Sequence, residues 1–288
     1  MRSSAALAAG VWLAAVCAGA AAQGRDLPEI LLRGEIRVAL YNALPPFSDG
    51  GRGIDLDIAG ALARKLGIRL APLWFDADEN VTDDLRNMVW KGHYLGTGPA
   101  DAMMHAPVDR DFMDANRGVR FVAPYFVERF DIARDTRRVP RLDSLAVFAR
   151  ETIAVESDTW PDSAMLAADG GRYVRNLVHF RTTGEAVGAL RDGRVSAVFA
   201  RRSELEAGLD GVSHIAIAAA PLAVGPREWA VGIAVKADNA ALAAALQHAM
   251  GELEAEGVLA QIFARHGVRR VPPGTMPVKA SAGPRGSP

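Results

Sequence analysis

From Glu35 onward the chain switches repeatedly between a two-residue and a three-to-four-residue hydrophobic period. Ile36, Val38 and Leu40 alternate with Glu35, Arg37 and Ala39, the spacing of a strand with one buried face. Leu44-Pro45-Pro46-Phe47 interrupts that pattern and Asp49-Gly50-Gly51 turns the chain. Ile58, Leu62 and Leu66, with Ala59 and Ala63 beside them, mark one helix face, and Gly67 is placed to end the helix. Residues 68–75 predict the next strand, 84–90 a helix and 100–105 a buried strand.

A second unit of the same kind follows. Strands are predicted at 152–155, 177–180 and 195–200, with Pro161 in a first helical turn. Thr182-Thr183-Gly184-Glu185 is a capping box opening a helix that stops at Gly193. A strand at 229–235 leads to a helix capped at Asp238 and carrying Leu242, Leu246, Met250 and Leu253. A final helix ends at His266-Gly267, and Pro272, Pro273 and the Gly/Ser/Pro mixture after them predict a flexible tail over 269–288. Strands alternating with helices predict an α/β fold whose mostly parallel sheets are flanked by helices.

The first residues have a different character. Arg2 precedes an apolar run from Ala5 to Ala20, and Ala20-Ala21-Ala22 fits an A-x-A cleavage site. The run is shorter than the ~20 apolar residues of a membrane span. The expectation is a leader over 1–22, cleaved before Gln23, and a periplasmic protein with no stable membrane insertion. Cys17 is the only cysteine, and Val16 before it is not the small residue of a lipid-attachment signal. Cleavage would remove Cys17, and with it disulfides, thiol nucleophiles and thiolate metal sites. Across 288 residues, 23% are charged and the formal net charge is −1, with no basic excess for nucleic acid.

Motifs for chemistry are few. The sequence has no G-x-S-x-G elbow, P-loop or H-E-x-x-H. Asp76, Asp78 and Asn80 copy the opening of a calcium loop, but Val81 stands where a glycine must turn and Asn87 where a bidentate glutamate is needed. No cofactor or metal is expected. Among six scattered histidines, only His105 ends a predicted buried strand, where it reads as a core residue or a cleft residue.

The segment from Ile36 to Gly67, "IRVALYNALPPFSDGGRGIDLDIAGALARKLG", resembles the opening of the family 3 bacterial extracellular solute-binding proteins, best known as amino-acid receptors of ABC importers. The resemblance continues through "ADAMMHAPVDR", "FVAPYFVERFDIARD", "TIAVESDTWPDSAML" and "EAVGALRDGRVSAVFARRSEL" to the C-terminal helices, in the family's order. It implies a two-lobed periplasmic binding protein fold of type II. Lobe 1 would span 26–130 and 232–268 and lobe 2 131–231, with hinges near 129–134 and 227–233. A small solute would be clamped between the lobes, without chemistry, and presented by a monomer to an ABC transporter permease.

The resemblance also implies site residues. Phe47 matches an aromatic that packs on the ligand, and Arg110 an arginine that pairs with a ligand carboxylate. Ser157, Asp158 and Thr159 match a turn before a helix whose N–H groups suit an anion, and His105 lies nearby. Arg201 stands where amino-acid receptors carry an aspartate for the ligand's ammonium, and Pro107 where they carry Thr or Ser. Like charges at contact repel, so an anionic or neutral solute is expected, with Arg110 and Arg201 facing each other across the cleft. Glu204 is the substitute acceptor if its segment is helical. The extended turn "WKGHYLGTGPAD", with Tyr94 and Leu95, resembles a branch of the family associated with quinoprotein alcohol dehydrogenases. This leaves a quinoprotein dehydrogenase or cytochrome c as the alternative partner. A cyclohexadienyl dehydratase-like enzyme using His105 and Asp158 is the third reading.

Overall fold

The computed structural model describes residues 25–93, 98–222, 225 and 228–275. The chain runs α1 (Leu27–Arg33), β1 (Glu35–Tyr41), a small hairpin of β2 (Ala43–Leu44) and β3 (Ser48–Asp49), α2 (Ile54–Lys65) and β4 (Arg69–Phe75). Then come α3 (Val81–Leu85), a π-helical turn over Arg86–Trp90, β5 (Ala102–Val108), α4 (Arg110–Ala115) and the long β6 (Val119–Asp135). The second half comprises β7 (Ile153–Glu156), α5 (Trp160–Ala167), β8 (Leu177–Phe180), α6 (Thr183–Arg191), β9 (Ala197–Arg201), α7 (Arg202–Leu209) and β10 (Ile215–Ala219). The chain returns through β11 (Glu228–Lys236) to α8 (Ala240–Ala255) and α9 (Val258–Arg265). None of the described helices is long and apolar enough to cross a membrane.

Local chemistry sets many of these boundaries. Asp26 accepts from the Glu29 amide to start α1, and Gly34, in the left-handed region, ends it. Thr182 caps α6 by accepting from the Glu185 amide, while the Glu185 carboxylate reaches back to the Arg181 amide. The cap of α8 is Asn239, one residue beyond the expected Asp238.

The strands form one sheet in the order β4-β1-β5-β11-β6-β9-β7-β8, with β10 also on β6. In lobe 1, β4, β1 and β5 are parallel, and β11 runs antiparallel to β5 and β6. In lobe 2, β8, β7 and β9 are parallel. The two lobes meet in β6. Its residues 119–129 pair with β11, and from Phe130 onward its partners are β9 and β10. Each lobe has an apolar core on both sheet faces. Ile58, Leu62, Leu246, Leu253 and Phe263 fill one face in lobe 1, and Val187, Leu190, Leu205 and Leu209 one in lobe 2. The free peptide groups of β6 where the lobes join are covered by the chain after α9. The Val127 amide donates to the Val271 carbonyl, Arg270 to the Tyr125 carbonyl, and the Arg269 amide to Glu206 of lobe 2. Residues 269–271 are thus docked by one main-chain and two side-chain hydrogen bonds, where the tail was expected to start.

Candidate functional site

Two cavities lie where the lobes face each other. One, of about 300 Å³, has the hinge-strand residues Phe130 and Trp229 on one side. Glu156, Thr159, Trp160, Thr183, Arg201 and Glu204 of lobe 2 line the rest of its wall. The other, of about 280 Å³, runs between Pro45 and Pro46 of lobe 1 and helices α6 and α7 of lobe 2. Both are lined by Thr183 and Glu204, so they meet at these side chains.

The wall of the first cavity is aromatic. Trp160 stacks on Phe130 with ring centroids 5.0 Å apart, and Phe130 leans on Trp229 at 4.9 Å. Phe199 meets Trp160 edge-on at 5.7 Å. The polar groups are arranged by strand ends. Glu156, last in β7, accepts from both the amide (2.7 Å) and the hydroxyl (2.8 Å) of Thr183 at the start of α6. Arg201, last in β9, donates to both carboxylate oxygens of Glu204, at 2.8 and 3.1 Å. Burial works against the Arg201 charge, but the carboxylates of Glu204, Glu128 and Glu156 outweigh it, and the guanidinium pKa is raised.

Glu128, fully buried on β6, underlies this wall. The Ser203 hydroxyl and the Arg129 amide donate to it, and the Ser203 amide lies 3.4 Å away. Arg201, the N-cap residue of α7, makes no side-chain capping bond, so the Glu128 carboxylate stands at the start of that helix instead. Desolvation raises the Glu128 pKa, only partly offset by the Ser203 and Arg129 hydrogen bonds and by the charges of Arg201 and His105. Next to the cavities, Arg129 spans the hinge strands, 3.1 Å from Asp131 and 3.6 Å from Glu228.

The residues expected at the site are placed unequally. Arg201 and Thr159 line the first cavity. Phe47 does not: it is fully buried in the lobe 1 core, with its ring 4.2 Å from His105, 5.5 Å from Phe126 and 6.3 Å from Phe263. Its loop is short and apolar, and packing inward removes it from the cleft. His105 is likewise buried, 3.2 Å from Asp55, and the Tyr125 hydroxyl donates to that same carboxylate at 2.5 Å. Arg110 opens α4 as an exposed residue and is not part of either cavity wall, so it does not face Arg201.

The turn at Ser157 and Asp158 spends its own donors. Ser157 donates twice to the Phe180 carbonyl, and the Asp158 amide donates to Asp162 within α5. Thr159 caps α5 and donates to the Glu156 carbonyl. The Asp162 carboxylate takes the Asp158 amide and the Phe180 carbonyl takes the Ser157 amide, so neither N–H is left to meet an anion. His105 and Asp158, the pair of the dehydratase reading, are not brought together: one is held by Asp55 in lobe 1 and the other is exposed on lobe 2. Tyr94 and Leu95 lie outside the described residues, as do the leader and Arg227.

Sequence reasoning missed Glu156, Trp160, Trp229 and Thr183 as wall residues, and Glu128 buried beneath them. A signal existed for Glu156, a carboxylate closing the short strand Ile153–Glu156 just before a turn. None existed for Glu128, whose burial follows only from the crossing of β6 between lobes.

No protein-family model matches the sequence, and no curated protein matches it. Solved structures do. An ancestral cationic amino-acid solute-binding protein superposes with a TM-score of 0.66 at 17% identity, over 83% of this chain and 98% of its own. A polar amino-acid ABC uptake transporter substrate-binding protein from Streptococcus thermophilus gives 0.64 at 18% identity, over 86% and 92%. An amino-acid ABC transporter substrate-binding protein from Streptococcus pneumoniae bound to L-arginine gives 0.58 at 20%, over 84% and 98%. With nearly the full length of each neighbour matched, the chain has the two-lobed α/β fold of the periplasmic solute-binding proteins.

Proposed function

We infer that the chain is a family 3 solute-binding protein that closes on a small polar solute and hands it to an ABC importer from the periplasm. The observation that carries this reading is the pair of cavities between the lobes. Lobe 1 supplies Pro45 and Pro46, the hinge strands supply Phe130 and Trp229, and lobe 2 supplies Glu156, Thr183 and Glu204. A concave, mostly apolar wall with a few converging polar groups is how small-ligand sites are built. Because the walls belong to both lobes, a solute that bridges them favours the closed form by contacts it makes only there. The fold and its neighbours support the same reading.

The cavity also supplies the assay. Trp160 and Trp229 line it, so solute entry should change their emission. A solute binding only the native state should also raise the melting temperature as its concentration increases. A library of amino acids, amines, sugars and carboxylates screened by both signals is expected to yield at least one saturable binder. Inertness toward the whole library would overturn the reading.

A further inference from the structure

The charge and ring arrangement of the cleft narrows the class of solute. Resting on the solute-binding reading, we propose that the cleft selects an organic cation (an amine, guanidine or quaternary ammonium) and gains nothing from a ligand carboxylate.

Three independent observations carry this. The first is the balance of charge. Glu156, Glu204 and Arg201 are the charged residues of the first cavity's wall, and Arg201 is held at two of its three nitrogens by Glu204. Glu156 makes no ion pair within 4 Å among the described residues. Arg201 feels its charge but bonds to Glu204 instead, and the Thr183 amide and hydroxyl hold Glu156 in place. It is the carboxylate left to receive a cation. An anion entering the first cavity would meet that charge, while its one guanidinium is taken by Glu204. Arg191 belongs to the second cavity, where it is exposed and donates to the Gly208 carbonyl.

The second observation is aromatic. Phe130, Trp160 and Trp229 form a continuous ladder along the wall that bears Glu156. Cations are attracted to the faces of such rings, tryptophan most of all.

The third concerns what a ligand carboxylate would need. An α-amino acid requires donors for its carboxylate as well as an acceptor for its ammonium. Arg110 is exposed on α4 and outside the cavity walls. At the start of α5, Asp162 already accepts from the Asp158 amide at 3.1 Å. Neither Arg110 nor the Asp158 amide is therefore left as a donor for a carboxylate in the cavity, while Glu156 remains for a cation.

Compounds that differ by one carboxylate test this directly. The full chain would be titrated with agmatine against L-arginine, and with cadaverine against L-lysine, following tryptophan emission and melting temperature. Tetramethylammonium and malate serve as a bare cation and a dianion. The decarboxylated member of each pair is expected to bind at least tenfold more tightly, with malate inert. Glu156→Gln should lose tenfold or more of the agmatine affinity. If that variant does not fold, Thr183→Val, which removes the hydroxyl holding Glu156, should weaken agmatine several-fold. Tighter binding of L-arginine than agmatine, binding of malate, or cation affinity unaffected by both substitutions would overturn the proposal. If only neutral or anionic solutes bind, the cation proposal alone falls. If nothing binds, the solute-binding reading falls with it.

Discussion

Replacing Glu128 separates its charge from its hydrogen bonds. The Ser203 hydroxyl and the Arg129 amide depend on it, and Ser203 is fully buried. Glu128→Ala leaves those donors without an acceptor, at about 1–3 kcal/mol each, and removes one buried methylene worth about 0.8 kcal/mol. A loss of roughly 3–5 kcal/mol is expected, or roughly 6–20 °C in melting temperature for a chain of this size. Glu128→Gln keeps an acceptor and deletes the charge. Burial raises the wild-type carboxyl above its ordinary value of 4.5, so the folded state holds that proton more tightly than the unfolded state does. The associated stability is complete below pH 4.5 and is lost as pH rises toward the folded pKa. The Gln variant lacks this loss, so its stability relative to wild type should improve from pH 4.5 to pH 7.5. Urea unfolding at a series of pH values reads both effects. A Gln variant that falls further behind wild type as pH rises, or an Ala variant within 1 kcal/mol of wild type, would refute the reasoning.

Asp84, buried beside Tyr41, is also raised first by desolvation, and Asp84→Asn should flatten the same fall in stability with pH. Gly53 has φ +129° and a Cβ there would lie 2.2 Å from the Phe47 carbonyl oxygen, so Gly53→Ala should cost about 2–4 kcal/mol in urea unfolding. That residue closes the loop presenting Pro45 and Pro46, so solute affinity should fall as well. Arg110→Ala should change solute affinity by less than about 0.5 kcal/mol in a fluorescence titration, where an arginine clamping a carboxylate would cost about 1.5–3 kcal/mol.

The fold was legible wherever a strand or helix keeps the same surroundings along its length. β1 begins with an alternating apolar pattern, β5, β7 and β9 are short continuous buried runs, and α2, α6 and α8 carry apolar stripes. β6 was not legible as one 17-residue strand. It passes from one lobe to the other, changes its neighbours midway, and buries Glu128, Asp131 and Asp135 beside apolar residues. Its hydrophobic pattern therefore follows two different surroundings in succession and matches neither period throughout. α7 was missed for another reason: eight residues after a strand, with Arg202, Glu204 and Glu206 among them, carry too few apolar positions to announce a helix.

At the site, position along the chain was legible and partnership was not. The reasoning from Arg201 to an anionic solute treats its charge as free, and in sequence nothing contradicts that. In the structure α7 begins immediately after β9, which places Glu204 one turn on and within 2.8 Å of the guanidinium. A pair three residues apart on one helix face is a common local contact, and it removes the free cation on which the expectation of an anionic solute rested. Once Arg201 is paired, what remains in the wall is Glu156. The same logic applies to Phe47 and His105. Both sit near the ends of elements that approach the cleft, yet Phe47 packs against Phe126 and Phe263, and His105 turns to Asp55. A residue's place at a strand end makes it available to a ligand only if no neighbour in its own lobe satisfies it first. Here the neighbours do so for Arg201, His105 and the Asp158 amide, and Glu156, whose partners are the amide and hydroxyl of Thr183, is the carboxylate left without an ion pair in the cavity wall.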